Sequence, residues 1–184
     1  AFYFLRTANN SRDDLNPTEE IGYVHYGDLH TKWHTKLQCD RIELPRINKS
    51  KVEKTPTLQD GDLVMADASE DYDGIGVSVE VSKVGNQRIV AGLHTILLRD
   101  KGGRFADGFR GYIQYVPSVH QSLVKIATGG SVYGISKGNL LGISIPCPPL
   151  PEQEKIAGIL STIDGLIEKI AAEIGLNQKQ FDTD

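Results

Sequence analysis

Pro146-Cys147-Pro148-Pro149-Leu150-Pro151-Glu152-Gln153-Glu154 is the stretch on which the architecture of this 184-residue chain turns. Four prolines in six residues fix φ and remove backbone donors, which predicts a stiff, extended connector. Pro151 suits the first position of a helix, and Glu152 and Glu154 lie where the positive end of a helix dipole favours anions. Beyond them apolar residues recur at Ile156, Leu160, Ile163, Ile167, Ile170 and Ile174, in alternating steps of four and three. That is the a/d seam of a coiled-coil-forming α-helix, and Ile159 and Leu166 widen it on one side. Burying each branched aliphatic is worth about 1.5–3 kcal/mol, so the stripe predicts a second helix as its partner. The competing arrangement lays the helix along its own domain. Gly158, Gly165 and Gly175 each weaken the helix by about 1 kcal/mol relative to Ala, so docking must drive its formation.

Upstream of the prolines the pattern is different. Ile21–Tyr26 reads as a strand stopped by a turn at Gly27-Asp28. An Asp60-Gly61 turn precedes the apolar run Leu63–Ala66, and Val77–Ser82 alternates with period two, as a half-buried strand would. Gly85-Asn86 marks a turn, and residues 88–99 supply one or two further strands. From Asp107 to Ile126 the spacing of Phe109, Tyr112, Ile113, Val116, Val119, Leu123 and Ile126 fits helix, broken in two by Pro117. Gly129-Gly130-Ser131 is a loop. The sequence therefore predicts an α+β domain with a small mixed sheet over residues 1–148, then a Pro-rich linker and long helix over 149–184.

Composition bounds the function. Apolar content of 39% and charged content of 24% are those of an ordinary soluble globular chain. No apolar run approaches the roughly 20 residues of a membrane span, and the opening Ala1–Arg6 lacks the build of a signal peptide; a cytoplasmic location is expected. Cys39 and Cys147 have no metal-ligand spacing and read as buried free thiols, and no cofactor or metal is expected. The net charge of −4 is unfavourable for nucleic acid, yet Lys32 to Lys54 holds seven basic residues against three acidic ones. Such a stripe is either a solvated loop or a holder of phosphate backbone.

The ordered run Asn139-Leu140-Leu141-Gly142-Ile143-Ser144-Ile145, continuing through the prolines to Ile156-Ala157-Gly158-Ile159-Leu160 and Asp164, resembles the specificity subunits of type I restriction-modification enzymes. In that family a recognition domain closes with a strand and a Pro-Pro-Leu-x-Glu-Gln-x-x-Ile-Ala-x-Ile-Leu stretch, after which a helix carries an Asp. Tyr26–Thr31, Asp60–Asp71, Ala91–Thr95 and Ala127–Ser136 also look like blocks of one branch of these domains. The resemblance implies a non-catalytic subunit that binds double-stranded DNA and directs methyltransferase (modification) and restriction subunits to a bipartite site. Family members carry two recognition domains and two helices packed antiparallel. One of each here implies a second recognition domain, supplied by homodimerisation or within a longer subunit. An alternative role is an assembly module that binds methyltransferase subunits through its helix, with weak or no DNA binding alone.

Three loops are the candidate DNA contacts. Lys32, Trp33, His34 and Lys36 pair basic with aromatic character, although Trp33 is equally suited to a core. Arg46, Asn48, Lys49 and Lys51 form the second. Gly129, Gly130, Ser131, Tyr133 and Lys137 form the third, where small residues admit close backbone approach and the others supply donors; Tyr133 suits packing as well. His25, His30, His94 and His120 read as structural. Ser69, Glu70, Asp71 and Asp73 lack the ordered motif of a nuclease, and the chain lacks the Asn/Asp-Pro-Pro-Tyr motif of an adenine methyltransferase, so no catalytic residue is expected.

Overall fold

The computed structural model describes residues 1–181, with side chains through Ile174. The predicted linker-and-helix segment 149–184 therefore ends three residues outside the described part. In chain order the elements are β1 (Phe2–Leu5), β2 (Ile21–Val24), α1 (Tyr26–Thr31), β3 (Lys36–Gln38), β4 (Arg46–Ile47), β5 (Leu63–Ala66) and β6 (Ala68–Ser69). There follow β7 (Ser78–Ser82), β8 (Ile89–Ala91), β9 (Thr95–Asp100), α2 (Pro117–Ile126), β10 (Tyr133–Gly134), α3 (Lys137–Leu140) and α4 (Leu150–Phe181). Short 3-10 turns occupy Arg12–Asp14, Lys49–Lys51 and Arg110–Tyr115.

The strands form three sheets rather than one. A five-stranded sheet runs β1-β9-β5-β7-β3, antiparallel except for the parallel β3–β7 pair. A three-stranded sheet runs β4-β2-β8, with β2 and β8 parallel, and β10 pairs with β6. The larger sheet is covered on both faces, which explains the uninterrupted apolar runs Leu63–Ala66 in β5 and Ile96–Leu98 in β9. Val64, Val79, Val81 and Leu97 point into a core shared with Val24, Leu29, Trp33 and Ile89. Leu63, Met65, Ile96 and Leu98 point the other way, onto Phe105, Phe109, Ile113, Val119 and Leu123. The result is a mixed α+β domain from which one long helix leads.

Several expectations are corrected by this layering. The alternation in β7 does not mark a half-buried strand, because Ser78 and Glu80 are as buried as Val79 and Val81. Their polar groups are satisfied from the neighbouring layer. Gln114 accepts from the Ser78 backbone N–H at 2.9 Å and donates to its carbonyl at 2.6 Å, imitating a strand partner. Glu80 accepts from Arg110 at 2.9 Å and from the Gly108 and Gly111 amides, so the segment before Pro117 is pinned to the sheet. That segment is a 3-10 turn, and Pro117 then opens α2 at its first turn. Gly27-Asp28 is not a turn either. The chain enters α1 at Tyr26, where the His25 ring accepts from the Gly27 amide and caps the helix. Of the two thiols read as buried, Cys39 is buried but Cys147 is exposed, whereas the strands expected over residues 88–99 are present as β8 and β9, in different sheets.

α4 spans 32 residues, about 48 Å at 1.5 Å per residue. Its first turns belong to the domain. Gln153 is fully buried; its Oε1 accepts from the Ala106 amide at 2.9 Å, and its Nε2 donates to the carbonyls of Pro148 and Arg104 at 2.7 and 3.0 Å. Ala157 is buried beside it, and Ile156 packs on the same core. Farther along, Asp164 accepts from Tyr112 and Thr35. From Gly165 to Ile174 every residue is exposed, so the helix has left the domain by that point.

Candidate nucleic-acid interface

The first predicted loop is divided by the fold. Trp33 is only 9% exposed and packs in the core with Leu29 and Leu37, which removes it as a base contact. Lys36 lies on the opposite side, its Nζ 5.9 Å above the Tyr112 ring and next to Gly108. His34 is exposed, with its carbonyl held by Gln114. Lys32 faces solvent and its Nζ lies 3.0 Å from Asp28.

The second loop is tethered by acids. Arg46 donates to the Glu20 carbonyl, Asn48 to the Glu19 carboxylate at 2.9 Å, and Lys51 to Asp14 at 2.6 Å. Lys51 and a bond from Asn10 hold the Asp14 carboxyl below its usual range. Lys49 remains exposed. In the third loop, Gly129 adopts φ +139°, a conformation side chains disfavour, and a Cβ there would meet the Val132 carbonyl at 2.0 Å. Gly130 and Ser131 are exposed. Tyr133 is half-buried against Tyr72, ring centroids 4.2 Å apart, and Lys137 donates to the Leu5 carbonyl.

A chain of contacts runs from one loop to the next. Lys51 holds Asp14 at one end of the Arg12–Asp14 turn, and Arg12 at the other end reaches the buried Asp28 of α1 at 3.1 Å. The last turn of α1 places the His30 Nε2 at 2.9 Å from the Ala68 carbonyl. Ala68 pairs with Gly134, next to Tyr133. Tyr26 extends this edge, with ring centroids 4.7 Å from His25, 5.2 Å from His94 and 6.4 Å from His30. Burial first, and Arg12 second, push the His25 imidazole below its ordinary range, so it caps α1 as the neutral ring.

Arg12, Tyr26, His30, Tyr72 and His94 therefore join an edge whose other members the sequence suggested. Tyr26 and His30 are four apart, a one-face spacing on a helix that the turn signal of Gly27-Asp28 masks. Arg12 and Asp28 meet over sixteen positions, and no local pattern announces them. Among the described residues no group of His, Cys, Asp and Glu could hold a metal, and no helix is long and apolar enough to cross a membrane.

A small mixed domain with a cation- and aromatic-lined edge, extended by a helix whose residues from Gly165 to Ile174 are all exposed, has the build of a recognition module carried on a rod. Residues 110–176 match the family model for the type I restriction modification DNA specificity domain. The chain is 28% identical to the type I restriction enzyme MjaVIII specificity subunit of Methanocaldococcus jannaschii, over 60% of this chain and 32% of that protein. Its fold is similar to the type I restriction-modification S subunit from M. genitalium, with a TM-score of 0.59 at 17% identity, covering 97% of this chain and 40% of that one. The HsdS subunit from Thermoanaerobacter tengcongensis gives a TM-score of 0.54 at 16% identity, over 91% of this chain and 36% of that one. Residues 110–176 thus match a type I specificity domain, in line with the resemblance read from the sequence, and the chain spans about a third of the length of the curated relative it matches.

Proposed function

We propose that this chain is the sequence-reading module of a type I restriction-modification system, a non-catalytic cytoplasmic protein that binds duplex DNA and holds a fixed distance to a second reader. The observation that carries this reading is the match of residues 110–176 to a DNA specificity domain whose helix continues, exposed, beyond the domain. Phosphate contacts from the cationic edge set register, and base-edge contacts set identity. The seam of α4 pairs with a second helix, in a homodimer or within a longer subunit, so the target is two short specific stretches around an unread spacer. Spacer length then follows helix length at about 1.5 Å per residue. Methyltransferase and restriction subunits supply the chemistry.

Selection from random duplexes, with the chain in complex with its methyltransferase subunit, tests this directly. The expected result is a split consensus; binding without sequence preference refutes it. A second reading, an assembly module, is favoured by the exposure of Ile163, Ile167, Ile170 and Ile174, each at least 46% exposed. It predicts that the chain binds the methyltransferase subunit while showing no sequence preference of its own.

A further inference from the structure

We propose that His94 reads a base edge of the duplex and that Arg12 and Lys32, mounted together on Asp28, form the phosphate clamp that sets its register. This rests on the function proposed above and names the residues that would perform it.

The clamp is distinguished by its charge. The Asp28 side chain is 1% exposed, and its Oδ1 receives both Arg12 Nη2 at 3.1 Å and Lys32 Nζ at 3.0 Å. The two cations are themselves half-exposed, at 52% and 53%. Elsewhere among the described ion pairs the count is one to one, as at Asp62–Arg99, or acid-rich, as at Arg110 with Glu80, Asp100 and Asp107. The Asp28 cluster alone among them has cations in excess. Two water-facing cations are therefore fixed in place by a buried anion, with donors left over for a second anion. Phosphate is the complement, because a guanidinium fork and an ammonium can share its oxygens.

His94 is held with comparable firmness. Its φ is +55°, in the left-handed region that non-glycine residues enter at a cost and that clusters at functional sites. The turn that imposes this is rigid: the Leu93 amide donates to the Tyr23 hydroxyl, Thr95 Oγ1 donates to the Gly92 carbonyl, and Gly92 lies flat on the Tyr23 ring. Asp67 Oδ1 lies 3.2 Å from His94 Nδ1, and since a carboxylate accepts, Nδ1 carries the hydrogen. Nε2 makes no hydrogen bond among the described residues. As a neutral ring it can accept from an exocyclic amino group of cytosine or adenine; protonated, it can donate to guanine.

Tyr26 ties the two parts together. Its ring meets His94 edge-on, and the next residue, Gly27, lies against the Arg12 guanidinium. Glu70, Asp71 and Asp73 are exposed neighbours of Tyr72 in sequence, and such acids repel phosphate. A backbone held at Arg12 and Lys32 would bring a groove over His94, which Tyr26 links to them.

The test uses the 184-residue chain in complex with its methyltransferase subunit, a random duplex pool, and Arg12→Ala, Lys32→Ala, His94→Asn and His94→Gly variants checked for unchanged thermal unfolding. Asn and Gly both accept a positive φ, so neither strains the turn. Arg12→Ala and Lys32→Ala should each weaken binding to all sequences alike and lower the slope of log K against log salt by about 1. The His94 variants should keep that slope and lose discrimination at one or two adjacent base pairs by about 5- to 150-fold. An unchanged salt slope in the cation variants, or an unchanged consensus in both His94 variants, overturns the assignment while the module still reads DNA. Absence of any consensus in the unaltered chain overturns the function beneath it as well.

Discussion

The Tyr112 hydroxyl donates to Asp164 Oδ2 across 2.6 Å, joining the 3-10 turn of the domain to the last docked turn of α4. Thr35 adds a second donor to the same oxygen at 3.2 Å, so one carboxylate gathers two parts of the domain onto the helix. Before Asp164 one side of the helix, with Gln153 and Ala157, packs on the domain, and from Gly165 to Ile174 every residue is exposed. The bond therefore sets the angle at which the rod leaves the reader. Tyr112→Phe should reduce stability by about 1.5 kcal/mol in urea unfolding, the usual worth of a hydrogen bond to a charged group. Faster amide exchange over residues 157–164 should accompany it.

The same bond has a pH signature. Burial first, and Asp164 second, hold the Tyr112 phenol well above its ordinary value of 10.0. The folded chain keeps this proton where the unfolded chain loses it. Its contribution is thus fully present below pH 10 and falls away as pH rises further. Tyr23 and Tyr115 are raised by burial too, so the alkaline loss of stability should be shallower in Tyr112→Phe than in the unaltered chain, without vanishing. Parallel urea titrations between pH 8 and pH 11 check the difference.

Gln153 closes the other end of the joint. Its amide satisfies one buried N–H and two carbonyls, which a side chain of another shape leaves without partners. Gln153→Ala should cost about 3 kcal/mol, combining unsatisfied polar groups with a cavity. Gln153→Glu should be no milder, since a carboxylate cannot donate to the carbonyls of Arg104 and Pro148. Thermal unfolding of both variants decides the matter, and a shift within about 0.5 kcal/mol for either contradicts the role.

How far the sequence was legible depends on how local each signal was. The proline run, the entry of α4 at Leu150-Pro151, and the turns at Gly61 and Gly85 with φ of +83° and +57° are written in neighbouring residues. Heptad spacing marked the stripe, but could not say where it leaves the domain, because Tyr112 and Thr35 lie far from Asp164 in sequence. Ile156 follows the a/d rhythm and yet packs on the domain's own core, since Gln153 and Ala157 turn that end of the helix inward. The alternation of β7 misled for a related reason: Gln114 and Arg110 make an interior face that accepts Ser78 and Glu80. At the candidate interface, residue type found Lys32 and Tyr133, whereas Arg12, Tyr26 and His94 are assembled by a buried aspartate and by ring contacts that no spacing encodes.

Gly129 is a sharp probe of the third loop. With φ at +139° and the Val132 carbonyl where a Cβ would sit, Gly129→Ala forces the backbone to move. The tilted Tyr72–Tyr133 ring pair depends on that backbone, and its near-ultraviolet circular dichroism should weaken. A stability loss of about 1–3 kcal/mol is expected. Gly130, beside it, has open space around it and no unusual φ, so Gly130→Ala should be neutral within about 0.5 kcal/mol. Equal effects at the two positions contradict the steric account.

Ile163 and Ile167 separate the stability of the domain from the assembly of the rod. They are 46% and 59% exposed, so the domain gains little from them and their replacement by Asp should leave its unfolding midpoint nearly unchanged. Pairing with a second helix would bury both, and two carboxylates on that seam would have to be desolvated or the helices kept apart. The double variant should therefore sediment as a monomer where the unaltered chain sediments as a dimer, or fail to bind a partner that the unaltered chain binds. DNA preference of the single domain should survive in the same variant. If the double variant unfolds instead, the far half of the helix contributes to the domain; if it still associates, the seam is not the interface.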